Sequence, residues 1–138
     1  RLPWGFENLG GPKDIADCLA AIKRHDPSAK RAVVKLNEGF SGEGNALFYY
    51  EDLAATTDES TLSQQIYDRL YGDNGLRFEA PAETWAGFSE KYVDMKGVVE
   101  AFVEGEGKCS PSVQCRVNAI GEPQVISTHD QVLGGPSG

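Results

Sequence analysis

Residues 32–50 read AVVKLNEGFSGEGNALFYY, two apolar runs on either side of a glycine-rich stretch. AVVKL (32–36) is a short run with β-branched residues that suits a strand, and ALFYY (46–50) is a second apolar run. The glycines between them supply backbone freedom. The predicted local structure is strand, flexible loop, strand.

Toward the N-terminus, Ile15, Leu19 and Ile22 repeat at the spacing of one helical face, which predicts a helix from Pro12 to about Arg24. Pro12 suits a first turn, and the HisAspPro stretch (25–27) ends the helix because a residue before proline avoids helical geometry. Toward the C-terminus, Leu62, Ile66 and Leu70 mark a second helix, with Thr61 and Gln64 at capping-box spacing and Gly72 as its stop. Trp85, Phe88, Tyr92 and Met95 predict a third helix over about 82–94, with these four side chains on its core face. Three strands follow at 98–104, 112–117 and 124–128, the last two joined by a turn over 118–123. The predicted fold is α+β, a mostly antiparallel sheet with helices on one side.

Composition fits one domain over 1–138: 40% of the residues are hydrophobic and 25% charged. With 21 acidic against 13 basic residues, the chain is ill suited to broad nucleic-acid binding, which needs a basic face. No apolar run approaches membrane-span length and the N-terminal residues lack the basic and apolar blocks of a signal peptide, so the expected partners exclude membranes and the expected setting is cytoplasmic. Cys18, Cys109 and Cys115 are odd in number and form no CxxC pattern, which predicts reduced thiols rather than a disulfide framework or a zinc site. Arg1 at the start and the loop-like GGPSG at the end suggest a segment of a longer chain.

Lys35 closes the first strand of the opening stretch, and Gly39, Ser41, Gly42, Gly44 and Asn45 follow it. Glycines let successive backbone N–H groups approach an anion, a lysine adds a full positive charge, and a serine adds a hydroxyl donor. The order is not that of a P-loop, where lysine follows the glycines. Glu38 and Glu43 oppose a phosphate role if they point inward, and a hairpin loop is often glycine-rich for turn geometry alone. The local pattern leaves both readings open.

A second candidate is VVEAFVEGEG (98–107), a strand whose backbone at a sheet margin would be available to a flat heterocycle. Glu104 or Glu106 has the two acceptor oxygens that a pair of ribose hydroxyls needs. Taken alone, the stretch also reads as a solvated acidic hairpin.

Lys35 on AVVKL, the loop GFSGEGNA, the strand VVEAFVEGEG and the hairpin PSVQCRVNAIGEPQVIS follow one another in an order that resembles the ATP-binding half of ATP-grasp enzymes. Within that superfamily, KLNEGFSGEGNA and ISTHDQVLGGPSG are most similar to the peptide ligases, which couple carboxylates to amines. The resemblance implies that Lys35 contacts an ATP phosphate and that Gly39, Ser41, Gly42 and Gly44 form a flap. It implies adenine pairing by the backbone of Glu100, Ala101 and Val103, a pocket supported by Phe102, and Glu106 on the ribose. Gln114 stands where the family is often acidic. The acidic, glutamate and asparagine ligands for magnesium are absent before Gly138, so Mg2+ ligands are expected outside this segment. The implied function is the ATP-binding segment of an ATP-dependent carboxylate–amine ligase working through an acylphosphate, with the segment alone inactive. No catalytic residue is assigned within it.

His129 and Asp130 are adjacent, so on a strand they point to opposite faces, and in the resembling group this stretch lies near the nucleotide. Arg116 is expected to project from the sheet to a phosphate or to water, and His25 to sit on the last carbonyls of its helix. The alternative to the ligase reading is a non-catalytic α+β module that binds a protein partner.

Overall fold

A computed structural model of the chain describes residues 2–39, 43–53, 58–73, 75–105 and 109–132. The span 1–138, expected as one domain, divides into two compact units, Arg1–Val103 and Glu104–Gly138.

The first unit holds five strands, β1 (Gly5–Leu9), β2 (Arg31–Leu36), β3 (Asn45–Tyr49), β4 (Leu76–Phe78) and β5 (Gly97–Ala101), in the antiparallel order β1-β5-β2-β3-β4. Its three described helices are α1 (Pro12–His25), α2 (Glu59–Leu70) and α3 (Trp85–Met95). The α+β architecture and the antiparallel sheet are therefore as the sequence predicts.

Alternation along β2 decides how the layers stack. Ala32, Val34 and Leu36 are buried while Arg31, Val33 and Lys35 are half-buried. The buried set joins one core with Ala46 and Phe48 of β3, Val99 of β5, Ile15, Leu19 and Ile22 of α1, Leu62, Ile66 and Leu70 of α2, and Phe88 and Tyr92 of α3. The helices thus cover one face of the sheet.

The end of α1 is fixed more firmly than its proline alone implies. Lys23, buried despite its charge, donates from Nζ to the carbonyls of Pro27 at 2.8 Å and Ala29 at 2.9 Å. A cation at a helix C-terminus also meets the negative end of the helix dipole. His25 stacks on Trp4 with ring centroids 4.2 Å apart.

Several boundaries differ from expectation. Helix α2 begins earlier than the Thr61–Gln64 capping box would allow: Asp58 is the N-cap, and its carboxylate accepts from the N–H groups of Ser60 and Thr61 at 3.2 Å each. Strand β5 stops at Ala101 instead of continuing to 104. Helix α3 starts at Trp85, capped by the Thr84 hydroxyl. Phe88 and Tyr92 are buried on it as expected, whereas Met95 is partly exposed.

The junction of α3 and β5 leaves no room for a side chain. Lys96 has φ 61°, and at Gly97 a Cβ would lie 2.3 Å from both the Lys35 carbonyl oxygen and the Tyr92 ring. Both neighbours belong to the packed interior, so neither can move aside cheaply.

In the second unit, β6 (Pro111–Val117) and β7 (Pro123–Asp130) form an antiparallel hairpin whose register shifts between Gln114 and Cys115. Asn118 builds the turn, its side-chain oxygen accepting from the N–H groups of Ile120 and Glu122, while Gly121 takes φ 84°. Val113, Val117, Val125 and Ile126 remain exposed.

Helix α1 meets α2 through a polar cluster. Lys13 and the nearly buried Ser63 both donate to the Asp17 carboxylate, and Lys13 also reaches the Ser63 oxygen at 3.2 Å. Burial pushes the Asp17 carboxyl upward, but the hydrogen bonds from Lys13 and Ser63 outweigh it and hold the group below its ordinary value. A folded-state pKa below the unfolded one gives stability that is complete above the ordinary value of 3.8 and lost as pH falls through the lowered one. Denaturant titrations should therefore show the wild-type advantage over Asp17→Asn at neutral pH shrinking once the pH drops below 3.8. Gly97→Ala should lower the unfolding free energy by about 3 kcal/mol in a urea titration, because the new methyl group meets backbone and a packed ring.

Candidate functional site

The face of the sheet away from the helices gathers residues that lie far apart in sequence. Cross-strand partners run Gly5, Glu100, Val33, Leu47 and Arg77 from one edge to the other. Beside this row, Lys35 stands opposite Asn45 and Val98, and Arg31 opposite Tyr49. Arg31, Lys35 and Arg77 thus share a face with Glu100 and Glu7. The face mixes cations and carboxylates in a chain of formal charge −8.

Its cations are held in place. Arg31 lies over the Phe102 ring at 3.7 Å from the centroid, and Arg77 over the Tyr49 ring at 4.3 Å. A planar guanidinium on an aromatic face fixes the arginine in place. Leu47 is fully buried in the row between Val33 and Arg77. Lys35 is ion-paired to Glu100, with side-chain exposures of 38% and 20%. A cavity of about 310 Å³ adjoins Glu100, bordered also by Leu2, Pro3, Gly5, Glu7 and Val98.

Lys35 therefore lies where the sequence places it, at the end of a strand and beside the glycine-rich connection. Of the flap residues, Gly39 and Gly44 are described, whereas Ser41 and Gly42 lie outside the described residues. Gly39 and Gly44 face each other across the neck of the loop: a Cβ on Gly44 would lie 2.8 Å from the Gly39 Cα, and one on Gly39 would lie 3.1 Å from the Gly44 Cα. The neck is tied down by Leu36 N–H donating to the Gly44 carbonyl at 2.9 Å and Asn37 N–H donating to the Lys96 carbonyl at 3.1 Å. These two glycines thus have a structural reason to be glycine. Glu38 and Glu43 are exposed.

The expected open strand margin at 98–101 needs correction. Strand β5 lies between β1 and β2, so Glu100 pairs with Gly5 on one side and Val33 on the other. The Ala101 N–H donates to the Trp4 carbonyl at 2.8 Å. A heterocycle has no access to backbone groups already used by two neighbouring strands. Val103 lies beyond the strand and is 62% exposed. Glu106 lies outside the described residues.

The missed element behind this correction is β1. Its sequence, GFENL, sets Glu7 beside Asn8, and Asn8 takes φ 60° where the register shifts between Phe6 and Leu9. The period-2 signal is therefore broken. Arg31 and Arg77 were also missed; a register linking β2, β3 and β4 would have been needed to find them.

In the second unit, His129 and Asp130 belong to β7 itself, opposite Ser112 and Pro111. Arg116 is exposed, and so are its neighbours Cys115 and Val117, so exposure does not distinguish the two faces of β6. Gln114 pairs with Ser127, whose hydroxyl donates to the Gln114 side-chain oxygen at 3.2 Å. Cys18, Cys109 and Cys115 are free thiols, with burial raising the Cys18 pKa to about 11. Among the described residues, no three His, Cys, Asp or Glu side chains gather where they could hold a metal, so no magnesium ligand is assigned here. No described helix is long and apolar enough to cross a membrane.

Comparison of the chain with known protein families, curated proteins and solved structures finds no match.

Gly44→Ala should cost about 1 to 2 kcal/mol in chemical denaturation, since backbone would have to shift at the loop neck. The accompanying amide shifts should centre on residues 36–39 and 96–97.

Proposed function

We propose that this chain is an ATP-binding segment of an ATP-dependent carboxylate–amine ligase, with the phosphates received on the open face of its five-stranded sheet. The observation that carries this reading is the placement of Lys35. It is the penultimate residue of the central strand, near the root of the glycine-bearing loop, on a face that also presents Arg31 and Arg77 beside aromatic rings. Cations on one side of a rigid sheet suit a chain of phosphates, because each can meet charge without reorganising the backbone.

The resemblance in motif order supplies the nucleotide and the reaction class. Lys35 and the loop over residues 37–45 would hold phosphate oxygens. The base would meet the chain beyond Ala101, around Phe102 and Val103, where pairing within the first sheet has ended. The role of Lys35 is electrostatic: it neutralises charge on the nucleotide and holds it in position. Magnesium and the two substrates to be joined would be bound by residues other than those assigned here.

A second reading rests on the hairpin of the second unit. Val113, Val117 and Val125 leave apolar surface exposed on a two-stranded element, which is marginally stable alone. Such surface suits the alternative of a protein-binding module.

NMR titration of the 138-residue chain separates the two readings. ATP with magnesium should shift amides in residues 37–45 and 98–106, more strongly than GTP does. Lys35→Ala should weaken binding roughly tenfold, the loss expected for one charge-assisted contact, in a variant that thermal melts show to be still folded. Absence of ATP-dependent shifts, or an unchanged affinity in Lys35→Ala, would refute nucleotide binding at this face.

A further inference from the structure

The ammonium group that the proposed function offers to phosphate is already occupied. Lys35 and Glu100 come from strands β2 and β5 and sit diagonally across the ladder: Lys35 faces Val98, and Glu100 faces Val33. Long side chains at such diagonal positions reach each other, and here they form an ion pair. On its other side Glu100 faces Gly5, where a Cβ would lie 2.7 Å from the Glu100 Cβ. The glycine of β1 therefore leaves room for the glutamate side chain. Glu100 is also the better shielded partner, 20% exposed against 38% for Lys35.

An anion arriving at Lys35 must exchange with this carboxylate. For a monoanion the exchange replaces one negative charge by another, and little is gained after both groups have been desolvated. A polyphosphate brings several negative charges to the ammonium group where the carboxylate brings one, so the exchange favours it. We infer that Glu100 is a displaceable counter-ion that reserves Lys35 for polyphosphate ligands and lowers their affinity by competing for the ammonium group. The inference rests on the proposed phosphate role of Lys35. It adds a residue that tunes that role without itself touching the nucleotide's phosphates.

Isothermal titration of the full chain with inorganic triphosphate, with ATP and with acetate tests it in wild type, Glu100→Gln, Lys35→Ala and the double variant. Glutamine keeps the shape of glutamate and removes the charge. Glu100→Gln should bind triphosphate about fivefold more tightly, the upper end for a partly exposed pair, and should gain proportionally more for acetate. The double variant should show no such gain. Glu100→Asp, whose shorter side chain draws the carboxylate back from Lys35, should fall between wild type and Glu100→Gln and serves in its place if thermal melts show misfolding.

Wild-type binding that depends on Lys35 but is unchanged or weakened in Glu100→Gln overturns the counter-ion role and leaves the nucleotide reading standing. A Lys35-dependent gain for triphosphate in Glu100→Gln, with no preference for ATP in either protein, supports the counter-ion role and removes the nucleotide reading. No binding by any variant removes both.

Discussion

The central strand β2 must satisfy two different surroundings at once, and the rest of the first unit is arranged around that demand. Ala32, Val34 and Leu36 enter the core under the helices, and Arg31, Val33 and Lys35 take the opposite face. A slip of one residue would carry Arg31 and Lys35 into the core and Val34 out of it. Burying an unpaired ammonium group is far costlier than losing one apolar contact, so this register is strongly specified. It is pinned at the strand's end, where Leu36 bonds to Gly44 and Asn37 to Lys96.

Glycine enforces the same register from both sides. At Gly97 the start of β5 passes against the Lys35 carbonyl and the Tyr92 ring, and at the loop neck Gly39 and Gly44 nearly touch. The glycines flanking Lys35 in space therefore serve close packing first. The neck of this connection is fixed by backbone contact.

On the open face, charge and stacking work together. Arg31 and Arg77 rest on rings, while Lys35 is held by a carboxylate from the neighbouring strand. A face built in this way fixes its cations and is partly neutralised from within.

Much of this was legible from sequence because it is local. Helical periodicity located α1 and the core positions Phe88 and Tyr92, since a side chain's direction follows from its place in the repeat, and short β-branched or apolar runs located β2 and β3. The position of Lys35 beside a glycine-rich loop was legible for the same reason. Strand β1 escaped because adjacent polar residues and the irregularity at Asn8 break the alternation, and β4 because three residues carry too little pattern. Those two short strands are what only the tertiary structure could decide. Strand β1 turns β5 from an edge into an interior strand and occupies the backbone expected to meet a heterocycle, while β4 brings Arg77 beside Tyr49. The pairing of Lys35 with Glu100 has the same origin: the two residues are 65 positions apart, and strand order, which no local repeat encodes, makes them neighbours.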